Sequence, residues 1–316
     1  MTDNELEAIP TPSITAVPIL NDKYLRHDID TVSVYTAEII SKAAISEISI
    51  AISKTYPDMS LIHLKRVKAP SSECTNFRIF IAKADANNHE AIQSFCSSYN
   101  LSNLKLQELP AKPALTRVQY IAAIKLWPTN FHENKCISKY LSDSPIEAKE
   151  LQRIQNIFRE LLARSGLNGG YHTGFVYDKK VEIAKASDTK CHHPLQHCAM
   201  NLIDEVAYYQ GGGAWRSNLS KQFATNLTDQ ESHQAKSKLP YLCTNYDVFL
   251  TEEPCIMCAM ALLHSRIKRV FVLDTNDVEF VKGCPCDAPF TRLKLHVSER
   301  VNHNFEVWII TLGCSR

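Results

Sequence analysis

Two cysteines three residues apart, Cys255 and Cys258, follow a proline in Glu253-Pro254-Cys255-Ile256-Met257-Cys258. Positions i and i+3 share a face of a helix, so a helix opening at Pro254 presents both sulfurs side by side. Proline is favoured at helix starts, and the positive end of the helix dipole favours thiolate over thiol. Paired thiolates of this kind bind zinc, and one histidine from elsewhere makes a three-ligand set with an open fourth position. That histidine is predicted to be His197, three residues after Pro194 in His193-Pro194-Leu195-Gln196-His197 and in the first turn of another helix. Two helix N-termini can then converge on one ion.

The elements that position these residues are legible around them. Pro145 to Arg164 reads as a helix with Ile154, Ile157, Phe158, Leu161 and Leu162 on one face. Tyr171 to Tyr177 and Lys180 to Ala186 read as a hairpin turning at Asp178-Lys179. Pro194 to Tyr209 is the helix carrying His197. Residues 210–239 open on Gly211-Gly212-Gly213 and are polar, which predicts a flexible insertion without a core of its own. Tyr246 to Leu250 is a strand running into the Cys255 helix, which ends near Ser265. Arg269 to Leu273 and Phe305 to Ile310 complete the strands. Strands alternating with helices predict an α/β sandwich with a mixed sheet.

Upstream, strands at Val32–Ala37, Leu61–Val67, Phe77–Ile81 and Leu104–Leu106 alternate with helices at Ser41–Tyr56 and His89–Tyr99. The order β-α-β-β-α-β predicts a small ferredoxin-like α+β domain. The expected division is residues 1–110 as an N-terminal domain, 111–143 as a linker, and 144–316 as the metal-binding domain. The first twenty residues, with Pro10, Pro12 and Pro18, read as an extended lead-in. In the linker, Trp127-Pro128-Thr129-Asn130-Phe131-His132 reads as an aromatic turn that packs between domains or offers a stacking platform.

The 316 residues carry a net charge of +1, with 45% hydrophobic and 22% charged residues. This is the composition of a packed globular protein. It lacks an overall basic footprint, so nucleic-acid binding would rest on local patches. The acidic start Met1-Thr2-Asp3-Asn4-Glu5 has no apolar core of a signal peptide, and no apolar run approaches the about 18 residues of a membrane span. Eleven scattered cysteines suit a reducing compartment, cytoplasm or nucleus, better than a disulfide framework.

The stretches from His193 to His197 and from Thr251 to Ile267 resemble the zinc-dependent cytidine and tRNA-adenosine deaminases, whose signature is His-x-Glu with Pro-Cys-x-x-Cys. The resemblance is nearest to the non-catalytic subunit of the eukaryotic heterodimeric tRNA wobble adenosine deaminase. It is carried by Ala199 where the signature has its glutamate, by the separate N-terminal domain, by the Leu115–Thr129 linker and by the Leu295–Phe305 tail. It implies a three-layer cytidine-deaminase-like sandwich and a zinc ion on His197, Cys255 and Cys258. Hydrolytic deamination needs a group that delivers protons to the ring and to the leaving amine, typically worth about 10²–10⁴-fold. Alanine cannot do this. Asp204 and Glu205 lie too far along the helix, and Glu252 and Glu253 are expected to cap the Cys255 helix.

The zinc is therefore expected to be structural, and its fourth ligand to come from Cys314, with Cys284 and Cys286 as other candidates. The resemblance implies a catalytic deaminase partner in a heterodimer, and a tRNA held by its anticodon arm and body. Lys65, Arg66 and Lys68 in the N-terminal domain, with Arg266, Lys268 and Arg269 in the deaminase half, are the candidate phosphate contacts. No membrane partner is expected. Two rivals stand beside this reading. A free-standing active deaminase predicts turnover by the chain alone, and a scaffold with a vestigial zinc fold predicts partner binding without tRNA binding.

Overall fold

The structure is a computed structural model that describes residues 14–70, 75–85, 88–167, 172–215, 240–274 and 288–313. In chain order the elements are β1 (Ile14–Pro18), α1 (Asp22–Leu25), β2 (Thr31–Ile39), α2 (Ile45–Thr55), β3 (Val67–Lys68), β4 (Phe77–Lys83), α3 (His89–Ser98), β5 (Ser102–Pro110), α4 (Arg117–Leu126) and α5 (Lys135–Tyr140). They continue with α6 (Ala148–Leu167), β6 (Thr173–Asp178), β7 (Val181–Ser187), α7 (Cys198–Tyr209), β8 (Asp247–Leu250), α8 (Ile256–His264), β9 (Arg269–Leu273) and β10 (Glu306–Leu312). The chain divides into two units, residues 22–143 and residues 1–21 with 144–316.

In the unit of residues 22–143, an antiparallel sheet runs in the order β3-β4-β2-β5. With α2 and α3 as crossovers, this is the ferredoxin-like arrangement expected from the strand order. Ile48 and Ile52 of α2 and Ile92 and Cys96 of α3 sit at helical i, i+4 spacing and are buried against Ile79 and Ile81 of β4. The strand expected at Leu61–Val67 is only β3. Leu61, His63 and Leu64 are buried, but their backbone partners come from the connector. Thr129 Oγ1 donates to the His63 carbonyl at 2.8 Å, and Lys65 N–H to that of Pro128 at 2.9 Å. The segment expected to be a linker therefore contributes to this unit. Trp127 is fully buried beside Phe80, and its Nε1–H donates to the Lys65 carbonyl at 2.7 Å. A ring so enclosed is core, which removes it as a stacking platform.

The other unit holds a six-stranded mixed sheet in the order β1-β10-β9-β8-β6-β7. The parallel strands β8, β9 and β10 lie in its interior, flanked by antiparallel β6–β7 and β1. Every residue of β8 is buried, as a strand covered on both faces requires. Alternate side chains take opposite faces. Phe249 stacks on Phe271 at 4.7 Å and meets Phe158 of α6 edge-on at 5.8 Å, whereas Val248, Leu250, Val270 and Val272 join the core with α7 and α8. The result is the expected three-layer sandwich. Gly174 permits the close approach of α7. A Cβ there would lie 2.7 Å from Leu202 Cδ1 and 2.9 Å from the Phe249 carbonyl oxygen.

The extended lead-in expected over the first twenty residues is, in its described part, a strand of the sheet. Ile14–Pro18 is an antiparallel edge strand on β10, with Ile14 opposite Leu312 and Pro18 opposite Trp308. Its β-branched residues fit a pleated surface, and proline is tolerated at the end of an edge strand. The hairpin β6–β7 forms as expected, with Lys179 in the left-handed region at φ 54°. The insertion expected at 210–239 falls almost wholly outside the described residues.

Candidate metal centre

The parallel strand β8 ends in a turn tied to its neighbour. The Thr173 N–H donates to Thr251 Oγ1 at 3.1 Å, and the Thr251 N–H returns a bond to the Thr173 carbonyl at 3.1 Å. The next residues are anchored in turn. Glu252 Oε1 lies 2.6 Å from His172 Nδ1, and Glu253 accepts from the N–H groups of Phe290 and Thr291 at 2.6 and 2.9 Å and from the Thr291 hydroxyl at 2.7 Å. The sequence predicts that Glu252 and Glu253 cap α8, and neither does. They are taken by His172 and by the 290–291 backbone, groups remote in the chain. Cys255 itself is the N-cap, and Cys258 lies in the first turn, fully buried.

The second helix begins one turn later than expected, at Cys198, with His197 as its N-cap. The preceding loop is pinned by Asn201. Its side-chain amide donates to the Ser187 carbonyl at 2.8 Å and to Thr189 Oγ1 at 2.9 Å. Asp188 accepts from Lys190 N–H at 2.9 Å and pairs with its ammonium at 3.0 Å. These supports (Asn201, Asp188, Lys190 and His172) have no motif spacing, and sequence reasoning did not find them.

The structure brings His197, Cys255 and Cys258 together. One ligand atom from each lies within 4.8 Å of the others. His197 Nδ1 is 3.5 Å from Cys255 Sγ. Around a tetrahedral zinc, bond lengths of about 2.3 Å to sulfur and about 2.0–2.1 Å to nitrogen separate such a pair by about 3.6 Å, so the donor set fits that ion. The Cys255 thiol is drawn down to about 5, first by the hydrogen bond from Cys258 and then by backbone N–H groups of the helix start and by His197. Cys258 is pushed up, because its thiol supplies that hydrogen bond and is buried beside Cys255. The adjacent Cys198 thiol, fully enclosed, is also pushed up, and it donates to the Ala186 carbonyl at 3.5 Å. Cys314, Cys284 and Cys286 lie outside the described residues.

Ala199 lines the cleft beside these ligands and presents only a methyl group to it. Two carboxylates share the cleft, each with a cationic or imidazole neighbour: Asp188 with Lys190, and Glu252 with His172. Glu252 Oε2 is buried without a hydrogen-bond partner among the described residues. The cleft is open on one side and offers about 30 Å³ to water, room for a water molecule.

The six candidate phosphate contacts fare differently. Lys65 is exposed, and the Arg66 guanidinium lies 4.2 Å from the Phe80 ring centroid. The Lys68 ammonium reaches the Leu126 carbonyl at 3.5 Å and the Trp127 ring at 5.9 Å. Arg266 and Lys268 line one open cleft. Arg269 is a correction. Its Nε–H donates to Asp247 Oδ1 at 2.7 Å, its second arm binds Asp247 Oδ2, and that arm also reaches Glu150 at 3.1 Å. The Asp247 side chain is 3% exposed, so this guanidinium is committed to neutralising a buried acid.

Curated relatives align along most of the chain. "Probable inactive tRNA-specific adenosine deaminase-like protein 3" of Danio rerio is 31% identical over 92% of this chain and 90% of its own length. The Homo sapiens protein of the same name is 30% identical over 93% and 88%. "tRNA-specific adenosine deaminase subunit TAD3" of Saccharomyces cerevisiae is 27% identical over 68% and 64%. A solved structure from a study of A-to-I editing by tRNA deaminases at the wobble position superimposes on 51% of this chain and 98% of its own, with TM-score 0.34 and 13% identity. No protein-family model matches the sequence. On the strength of relatives that align from end to end at this identity, the chain belongs to the family of the probable inactive tRNA-specific adenosine deaminase-like protein 3.

Proposed function

We propose that this chain is the non-catalytic subunit of a heterodimeric tRNA adenosine deaminase that converts the wobble adenosine to inosine. The observation that carries the reading is the pairing of a complete donor set, His197, Cys255 and Cys258, with Ala199 where the acid of the signature belongs. The relatives' names, with "inactive" in the vertebrate proteins and "subunit" in the yeast protein, agree with it.

Zinc bound to these three residues would supply structural cross-linking. The ligands start two helices and lie 58 residues apart at His197 and Cys255, so the ion ties α7 to α8 across the top of the sheet. The chain's own residues do the rest. Asn201 holds the His197 loop, Thr251 and Glu253 hold the Cys255 turn, and the Glu252–His172 pair lines the cleft beside the ligands. A proton shuttle is absent at Ala199, so the acid must come from a partner subunit with an intact His-x-Glu.

The unit of residues 22–143 would hold tRNA through Lys65, Arg66 and Lys68. Phosphate contacts of that kind set affinity and salt dependence without reading sequence. The described cysteines are free thiols, as the nucleus and cytoplasm permit.

The test is inosine formation at the wobble position of a full-length tRNA. This chain alone, the catalytic subunit alone and the co-expressed pair are assayed side by side. Activity only in the pair is the expected result. Turnover by this chain alone would overturn the reading.

A further inference from the structure

A second concavity lies at the amino ends of the parallel strands, whereas the metal ligands lie beyond the carboxyl end of β8. It has a volume of about 360 Å³ and is lined by Thr244 and Asn245 before β8, Arg266 and Lys268 before β9, and His303 and Glu306 where β10 begins. The strands are in register there, with Arg269 paired to both Asp247 and Glu306, so the three lead-in loops meet at one level.

The chemistry of this cleft is cationic. Lys268 is exposed, and no carboxylate pairs with it among the described residues. Arg266 Nη1 is steadied by the Asn302 carbonyl at 3.3 Å, and its other N–H groups are uncommitted among the described residues. Glu306, the acid of the lining, accepts from Trp308 Nε1 at 3.2 Å. His303 donates from Nε2 to the Ile267 carbonyl at 2.7 Å, which fixes the ring at the edge of the cleft.

Helix α8 ends beside this cleft in a closed cap, with Arg266 N–H on the Leu263 carbonyl at 3.1 Å and Ile267 N–H on that of Leu262 at 3.4 Å. The residue in the left-handed position of such a cap is usually glycine. Here it is Arg266, at φ 64°. The negative end of α8 favours the cations at this edge and opposes an anion, so the charges of Lys268 and Arg266 have to outweigh it.

We propose that this cleft seats one backbone phosphate of a bound RNA, between the Lys268 ammonium and the Arg266 guanidinium, with the Asn245 amide as a further polar contact. The proposal rests on the reading of this chain as a tRNA-holding subunit and adds a site on the deaminase-like unit itself, remote from the metal centre.

The test uses the co-expressed heterodimer. Exposed lysines are acetylated with and without full-length tRNA, and tRNA affinity is measured against salt for wild type, Lys268→Ala, Lys268→Glu and the hairpin control Lys180→Ala. The expected results are protection of Lys268 by tRNA, a salt slope smaller by about 0.9, and an affinity about eightfold weaker at 0.1 M salt for Lys268→Ala. Lys268→Glu should lose more, and Lys180→Ala should match wild type. Protection of Lys268 by millimolar inorganic phosphate but not by tRNA overturns the assignment to RNA. Unchanged slope and unprotected Lys268 in a heterodimer that still binds tRNA overturn the site and leave the subunit reading standing. If the heterodimer binds tRNA no better than the catalytic subunit alone, the tRNA-holding reading falls and the site with it.

Discussion

His197 Nδ1 and Cys255 Sγ stand 3.5 Å apart at the starts of two helices, 58 residues apart in the chain. The turns that bring them there are fastened to the sheet by Thr251 and to the β7 loop by Asn201. These hydrogen bonds orient the candidate ligands from outside the donor set, as supporting contacts around a zinc site do.

Metal content follows directly. The purified chain is expected to carry one zinc, measured by elemental mass spectrometry, and His197→Ala, Cys255→Ser and Cys258→Ser are each expected to lose it. A loss of about 3 kcal/mol of metal-linked stability would lower Tm by about 6–12 °C in a domain of this size. A chelator should reproduce the shift in wild type and not in the variants. Equal melting temperatures with and without chelator would remove the structural role of the ion.

Restoring the acid should not restore the enzyme. Ala199→Glu places a carboxylate beside the candidate ligands, in a cleft it would share with Asp188 and with the Glu252–His172 pair. A general acid worth about 10²–10⁴-fold acts only where a substrate is seated, and the proposed reading seats the adenosine in the partner's site. Ala199→Glu alone is therefore expected to form no inosine. Turnover by the wild-type chain that disappears in Glu252→Gln would instead identify Glu252 as a working acid.

The buried His296 predicts a pH dependence of stability. It is fully enclosed among Phe290 and Phe305, and its Nε2–H donates to the Ile19 carbonyl at 2.9 Å. Burial first, and Lys294 to a lesser degree, pushes it down to about 4 from an ordinary value of 6.5. The unfolded chain binds the proton more readily, so this contribution is complete above pH 6.5 and is lost as pH falls towards 4. It amounts to about 3 kcal/mol. Denaturant melts of His296→Phe between pH 7 and pH 4 should lack that part of the decline. An identical pH profile in the variant would show that another group is responsible.

Asp247 is the hub of a buried charge cluster, within reach of Arg269 and, at 3.5 Å, of Arg153. Removing one member of such a cluster strands the others, at a cost of about 3–5 kcal/mol. Asp247→Ala should show that loss in urea unfolding. Arg269→Ala should lower stability while leaving the salt dependence of tRNA binding unchanged. A change in slope with intact stability would return Arg269 to the nucleic-acid surface.

The three candidate ligands, the alanine in place of the signature acid, the α-β order of the unit of residues 22–143 and most strands of the other were legible in the chain itself. A Cys-x-x-Cys after proline, an alanine two residues past a histidine and the periodicity of Ile48 and Ile52 or Ile154 and Phe158 are local patterns, set by helix and strand geometry within a few residues. What only the tertiary structure decided were the partners that close over long separations. Ile19 is reached by His296 across 277 residues, and Glu150 by Arg269 across 119. Ile14–Pro18 became a strand because β10 offered an open edge, whereas His63 and Lys65 bond to the 128–130 segment, through the Thr129 hydroxyl, the Asn130 N–H and the Pro128 carbonyl. Arg269, an ordinary basic residue in sequence, is drawn into an ion pair because Asp247 is buried beside it. Such outcomes depend on which backbone groups and charges are left unsatisfied when the layers pack, and no short window of sequence contains both halves of those pairs.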